Sequence, residues 1–127
     1  MISGRFGEYG ELFFEIDLIA SNGDILPVEV LLDTGFTTGY LAINFQDIDA
    51  LGWPLIRSKI PLATARGQDF FDLYEGRVII DNQEFIVAVH VGDELPEILI
   101  GSQWLDTMQL VVNKPRGILT LEIADTE

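Results

Sequence analysis

Residues 30–36 read Val-Leu-Leu-Asp-Thr-Gly-Phe, an apolar run that ends on a carboxylate followed at once by a hydroxyl and a glycine. Strand interiors avoid Asp, and a buried charge is costly unless something compensates it. Asp33 is therefore either a turn residue or a working acid. Gly35 permits close backbone approach behind the carboxylate. Thr34 adds a hydroxyl that can bond back to the turn or across to a neighbouring chain. On this triplet alone the simpler explanation prevails, an Asp that nucleates an Asx turn at a strand end.

Other chemistries find less support. A serine hydrolase needs a base, and the single histidine, His90, lies inside the alternating run Phe85 to Val91, where a plain strand-face residue is expected. Ser102 follows Gly101 but lacks the second glycine of a nucleophile elbow, and it reads as a helix cap. Asp47-x-Asp49 and the group Asp93, Glu94 and Glu97 lack the ligand spacing of a calcium loop, so they read as solvated surface and no metal is expected. Neither GxGxxG nor GxxxxGK occurs, so nucleotide chemistry and a cofactor are not expected.

The 127 residues suffice for one domain, spanning residues 1–127, with a real core, since 48% of them are apolar. Twenty-one acidic against 7 basic residues leave a net charge of −14, which repels nucleic acid and anionic lipid alike. No nucleic-acid or membrane partner is expected. The absence of cysteine excludes thiolate chemistry and suits a reducing compartment. The N-terminus is broken by Gly4, Gly7 and Gly10 before any apolar segment forms, and no apolar run reaches spanning length, so a cytoplasmic location is the expectation.

The elements that must position Asp33 are mostly strands. Phe14, Ile16 and Leu18 alternate with Glu15 and Asp17, Ser21-Asn22-Gly23-Asp24 supplies a turn, and Val28-Glu29-Val30 resumes the alternation, which predicts a hairpin. Arg77 to Ile80 and Phe85 to Val91 flank Asp81-Asn82-Gln83 as another hairpin, and Gly117 to Ile123 gives a further alternating run. Asn44 is positioned to cap a short helix through Leu51 that stops at Gly52. Ser102 is positioned to cap a second over residues 102–109, before a strand at Leu110 to Val112. Pro61 to Gly76 is the least regular stretch. It has the composition of a long hairpin with an exposed tip around Arg66, Gly67 and Gln68, in which Phe70, Phe71 and Tyr74 either cover a channel or pack beneath the hairpin. Trp53 and Trp104 read as core or interface fillers.

Downstream of Asp33-Thr34-Gly35 come Ile98-Leu99-Ile100-Gly101, a short helical segment and another strand. This order resembles the retropepsin-like aspartic proteases, and Asp33-Thr34-Gly35-Phe36 is similar to the DTGF group of small microbial and archaeal members. In that resemblance Thr38 to Ile43 is the strand after the triplet, roughly Leu62 to Arg77 is the flap, and Leu99 to Gly101 is the apolar-apolar-Gly element. It implies an all-β, closed acid-protease barrel with one or two short helices, acting as an endopeptidase on a peptide or protein substrate. Aspartic protease chemistry uses two carboxylates sharing one proton, and the chain holds no second Asp-Thr-Gly. The second acid then comes from another copy, placed against the first by a two-fold homodimer. The resemblance further implies catalytic roles for Asp33, Thr34 and Gly35 and substrate contacts for Phe36, Arg66, Gly67, Gln68, Leu99, Ile100 and Gly101. It also implies an interface sheet formed from the N-terminal segment and Gly117 to Ile123.

The chain departs from the retropepsin pattern at two places. Phe36 stands where Ala or Ser is usual, and Ser102-Gln103 stands where Arg followed by Asn or Asp is usual. These departures define the rival expectation, a catalytically weak or inactive peptide-binding or regulatory module on the same fold.

Overall fold

The computed structural model describes residues 1–64 and 67–124. In chain order the strands are β1 (Ile2–Ser3), β2 (Arg5–Phe6), β3 (Leu12–Ile19), β4 (Ile25–Asp33) and β5 (Leu41–Asn44). The helix α1 (Phe45–Leu51) follows, and then β6 (Leu55–Thr64), β7 (Gly67–Ile80), β8 (Gln83–Gly92) and β9 (Ile98–Gly101). A 3₁₀ segment, Ser102–Asp106, precedes β10 (Met108–Asn113), and a second, Lys114–Arg116, precedes β11 (Ile118–Ile123).

Period-two alternation makes these strands. Phe14, Ile16 and Leu18 of β3 face the core with Val30 and Leu32 of β4, while Glu15, Asp17, Leu31 and Asp33 take the other face. The order β2-β3-β4-β9-β5-β8-β7-β6 forms one eight-stranded sheet. A further β3–β7 pairing, with Asp17 opposite Ile79 and Leu18 opposite Val78, closes six of these strands into a barrel, the expected all-β architecture. Trp53 and Trp104 are both buried in the core.

A separate three-stranded sheet has the order β1-β11-β10, with Ile2 opposite Leu121 and Ser3 opposite Thr120. The N-terminal segment and β11 thus pair within one chain. Asp81 ties this sheet to the barrel. It sits in the β7–β8 turn with Asn82, both at positive φ as a two-residue hairpin of this hand demands. Its carboxylate accepts from the Met1 ammonium and from the Ile123 N–H, the latter at 3.0 Å.

Three local expectations are corrected. Asn44 occupies the N-cap of α1 but makes no capping bond. Its side chain instead clasps Leu95, Oδ1 accepting from the backbone N–H at 2.8 Å and Nδ2 donating to the carbonyl at 3.0 Å. Ser102 is not a cap either; Gly101 precedes a 3₁₀ turn that ends at Asp106, because Thr107 and Met108 leave the turn to pair β10 with β11. The strand after the triplet starts at Leu41 and not at Thr38, since Thr38 to Tyr40 are taken up in crossing over Gly101. Gly52 does stop α1, in the left-handed conformation at φ 65°. Among the described residues no helix is long and apolar enough to cross a membrane.

Candidate active site

Asp33 is the last residue of β4, and β4 runs parallel to β9 with Asp33 opposite Gly101. Both strands therefore end at one level, and the turns that follow them emerge side by side. The first is an Asx turn: the Gly35 N–H donates to Asp33 Oδ1 at 2.9 Å, and the Phe36 N–H donates to the Asp33 carbonyl at 3.1 Å. The carboxylate is half-buried, with Thr34 and Gly35 exposed beside it. The turn residue and the candidate acid are one and the same, because a single Oδ1 bond orients the carboxylate while its other oxygen stays available.

The chain from Phe36 to Tyr40 then passes directly over Gly101. A Cβ on Gly101 would lie 1.9 Å from the Gly39 carbonyl oxygen and 2.6 Å from that of Phe36. The glycine admits this crossing, which three hydrogen bonds fasten. The Ser102 N–H donates to the Phe36 carbonyl at 2.9 Å, and the Tyr40 carbonyl accepts from the Gly101 N–H at 3.0 Å and from Trp104 Nε1 at 2.8 Å. Gly39 in turn lies against the Phe36 ring, where a Cβ would come within 2.1 Å.

A groove of about 840 Å³ opens in front of Asp33. Gly35, Phe36, Thr37 and Thr38 line it from the turn, Leu99 from β9, Ala42 from β5, and Leu95 and Pro96 from the loop that Asn44 clasps. The β6–β7 hairpin contributes Pro61, Leu62, Ala63, Asp69 and Phe71. A volume of this size suits a small ligand or a few residues of peptide, by the ~300–1,000 Å³ typical of binding sites.

Of the residues proposed from sequence, the structure brings Asp33, Gly35, Phe36 and Leu99 together on the groove wall, with Thr34 exposed in the same turn. Ile100 and Gly101 lie beneath it: Ile100 points into the core at 0% exposure, and Gly101 is covered by the crossing chain. Gly67 and Gln68 are exposed at the start of β7; they are not among the lining residues, although Gln68 stands opposite Ala63 and next to Asp69, which are. Arg66 lies outside the described residues. The contributions of Thr37, Ala42, Leu95 and Pro96 are not legible in the sequence, although the alternation of β7 puts Phe71 and Phe70 on opposite faces. Phe71 is buried at the groove and Phe70 is 62% exposed.

Beneath the groove sits His90, the one polar side chain in the buried set among the described residues. Its ring meets Phe36 edge to face at 5.2 Å and Phe71 at 6.2 Å. Its Nδ1 has no hydrogen-bond partner, and burial lowers its pKa below the ordinary histidine value, which favours the neutral form.

A closed six-stranded barrel carrying Asp-Thr-Gly beside an apolar-apolar-Gly turn is the fold of the retropepsin-like aspartic proteases. The chain is similar to a retropepsin-like aspartic protease from Rickettsia conorii, at 22% identity and TM-score 0.64, over 95% of this chain and 88% of that one. It is also similar to EIAV protease in complex with the inhibitor HBY-793, at 16% identity and TM-score 0.59, over 80% of this chain and 90% of that one. No family model and no curated protein matches the sequence. At these identities the likeness establishes the fold.

Proposed function

We propose that the chain is an aspartic endopeptidase that works as a homodimer, with Asp33 of each copy forming the catalytic pair. The observation that carries this reading is Asp33 itself, half-buried at a strand end, oriented through one oxygen by the Gly35 N–H, and facing a peptide-sized groove. Two carboxylates brought together at a two-fold axis cannot both ionise, so they share one proton. The ionised member draws a proton from a bound water, which attacks the peptide carbonyl, while the protonated member donates to the carbonyl oxygen. Thr34, exposed next to Asp33, is the group to lock onto the other subunit, and the β1-β11-β10 sheet is the proposed interface. The β6–β7 hairpin, with Gly67 and Gln68 at the start of β7, closes over the substrate and excludes water.

A second reading, a peptide-binding module that cleaves little, is favoured by one observation: the Phe36 ring lines the groove directly beside Gly35. The two are separated by incubating the protein with a diverse peptide library from mildly acidic to neutral pH, beside Asp33→Asn. Cleavage lost by about 10²–10⁴-fold in the variant supports the enzyme. Binding without cleavage by both proteins supports the module, and neither binding nor cleavage by either refutes both.

A further inference from the structure

His90 is 6% exposed, its Nδ1 is unpartnered, and only a thin apolar layer separates it from the groove. That layer consists of the rings of Phe36 and Phe71, which it touches, and Ala42, which stands opposite it in the β5–β8 register. All three line the groove. An apolar residue would fill this place without leaving a polar atom unmet, and buried polar atoms are as a rule hydrogen-bonded. The position reads as a site whose partner arrives from outside.

We propose that His90 is a specificity-determining residue of the groove, meeting through Nδ1 the hydroxyl or amide of a substrate side chain that enters between Phe36 and Phe71 above Ala42. A neutral imidazole offers one donor and one acceptor, so a hydroxyl or carboxamide, which has both, matches either tautomer. The Asp33 carboxylate in the same groove and the net charge of −14 disfavour an anionic side chain. Phe36 is the movable cover. Being half-buried and packed over Gly39, it can yield to an entering side chain without disturbing the barrel core.

The inference rests on the peptide groove of the proposed function but not on cleavage. It is tested by titrating hexapeptides that differ at one position as isosteric pairs, Thr against Val and Asn against Leu, scanned along the peptide. The titrations use the non-cleaving Asp33→Asn protein and the same protein carrying His90→Leu, with ring ¹⁵N shifts of His90 recorded in the first. The expected result is an affinity about tenfold higher for the polar member at one position, a matching shift of the His90 ring nitrogens, and loss or reversal of that preference with Leu at 90. Phe36→Ala should keep the preference, since the cover and not the hydrogen bond is removed. Peptide binding with equal affinities within every pair, or a preference unchanged by His90→Leu, overturns the proposal even if the native chain is a protease. Peptide cleavage by the native chain, scored separately, reports on the proposed function alone.

Discussion

Replacing Gly101 by Ala tests the crossing that places Asp33. Real Cβ atoms do not approach within 3.0 Å of such neighbours, so the Gly39 carbonyl oxygen, 1.9 Å from the new methyl, must retreat by about 1 Å. It is backbone and cannot rotate away. Its retreat strains the three hydrogen bonds at Phe36 and Tyr40 that fasten the crossing. Each is worth about 0.5–1.5 kcal/mol. Overpacking adds about 1–3 kcal/mol. Allowing for partial relaxation, the expected loss is on the order of 3–5 kcal/mol, at least about a fifth of the ~5–15 kcal/mol by which a domain is usually stable. In urea, with a slope of about 1–3 kcal/mol/M, the midpoint should fall by at least about 1 M. Gly35→Ala is the matched control, because its Cβ would meet only the Asp33 Oδ1 at 3.2 Å, a side-chain atom that has to give by only a few tenths of an ångström. That variant should lose less than about 1 kcal/mol. Equal, small losses at both positions would refute the close crossing as the device that holds the site.

Three further outcomes follow from the same structure. His90→Leu removes an unmet polar atom, so the variant should be more stable than the native chain, by about 1 kcal/mol near neutral pH. Because burial lowers the folded pKa of His90, the unfolded chain binds more protons below its ordinary value of 6.5. Native stability then falls relative to the variant as the pH drops from about 7 through that value, with a slope of up to about 1.4 kcal/mol per pH unit. Thermal midpoints of the two proteins that stay parallel from pH 7.5 to 5 would contradict this. Asn44→Ala deletes both bonds to Leu95 and should cost about 1–3 kcal/mol, while hydrogen exchange at the Leu95 amide accelerates more than at core amides such as Val89. An unchanged Leu95 exchange rate would show that the clasp does not hold the loop. Finally, each subunit of the proposed dimer carries −14, so sedimentation should show tighter association as salt is raised, and association that weakens with salt would point to an interface held by ion pairs.

Several elements were legible in the sequence because their causes are local. The β3–β4 hairpin follows from alternation around Ser21 to Asp24, the β7–β8 hairpin from Asp81-Asn82, and the end of α1 from Gly52. β6 was not legible. It is an edge strand with bulges between Leu55 and Ile60, a positive φ at Lys59 and a proline at 61, so its pairing with β7 leaves little periodic trace. Asn44 and Ser102 have the composition of helix caps, yet Asn44 is claimed by Leu95, distant in sequence, and at Ser102 a strand pairing shortens the helical segment.

That an Asp sits in a Thr-Gly turn at the end of an apolar strand is specified locally, since strand, turn and glycine fall within seven residues. What that carboxylate faces is set by contacts between elements far apart in the chain. The parallel β4–β9 register sets Asp33 beside Gly101, the crossing chain carries Phe36 over the groove, and His90 is buried on a strand face that alternation assigns to solvent. Local signals cannot encode these placements, because each depends on which distant strand becomes the neighbour and on the register in which the two meet.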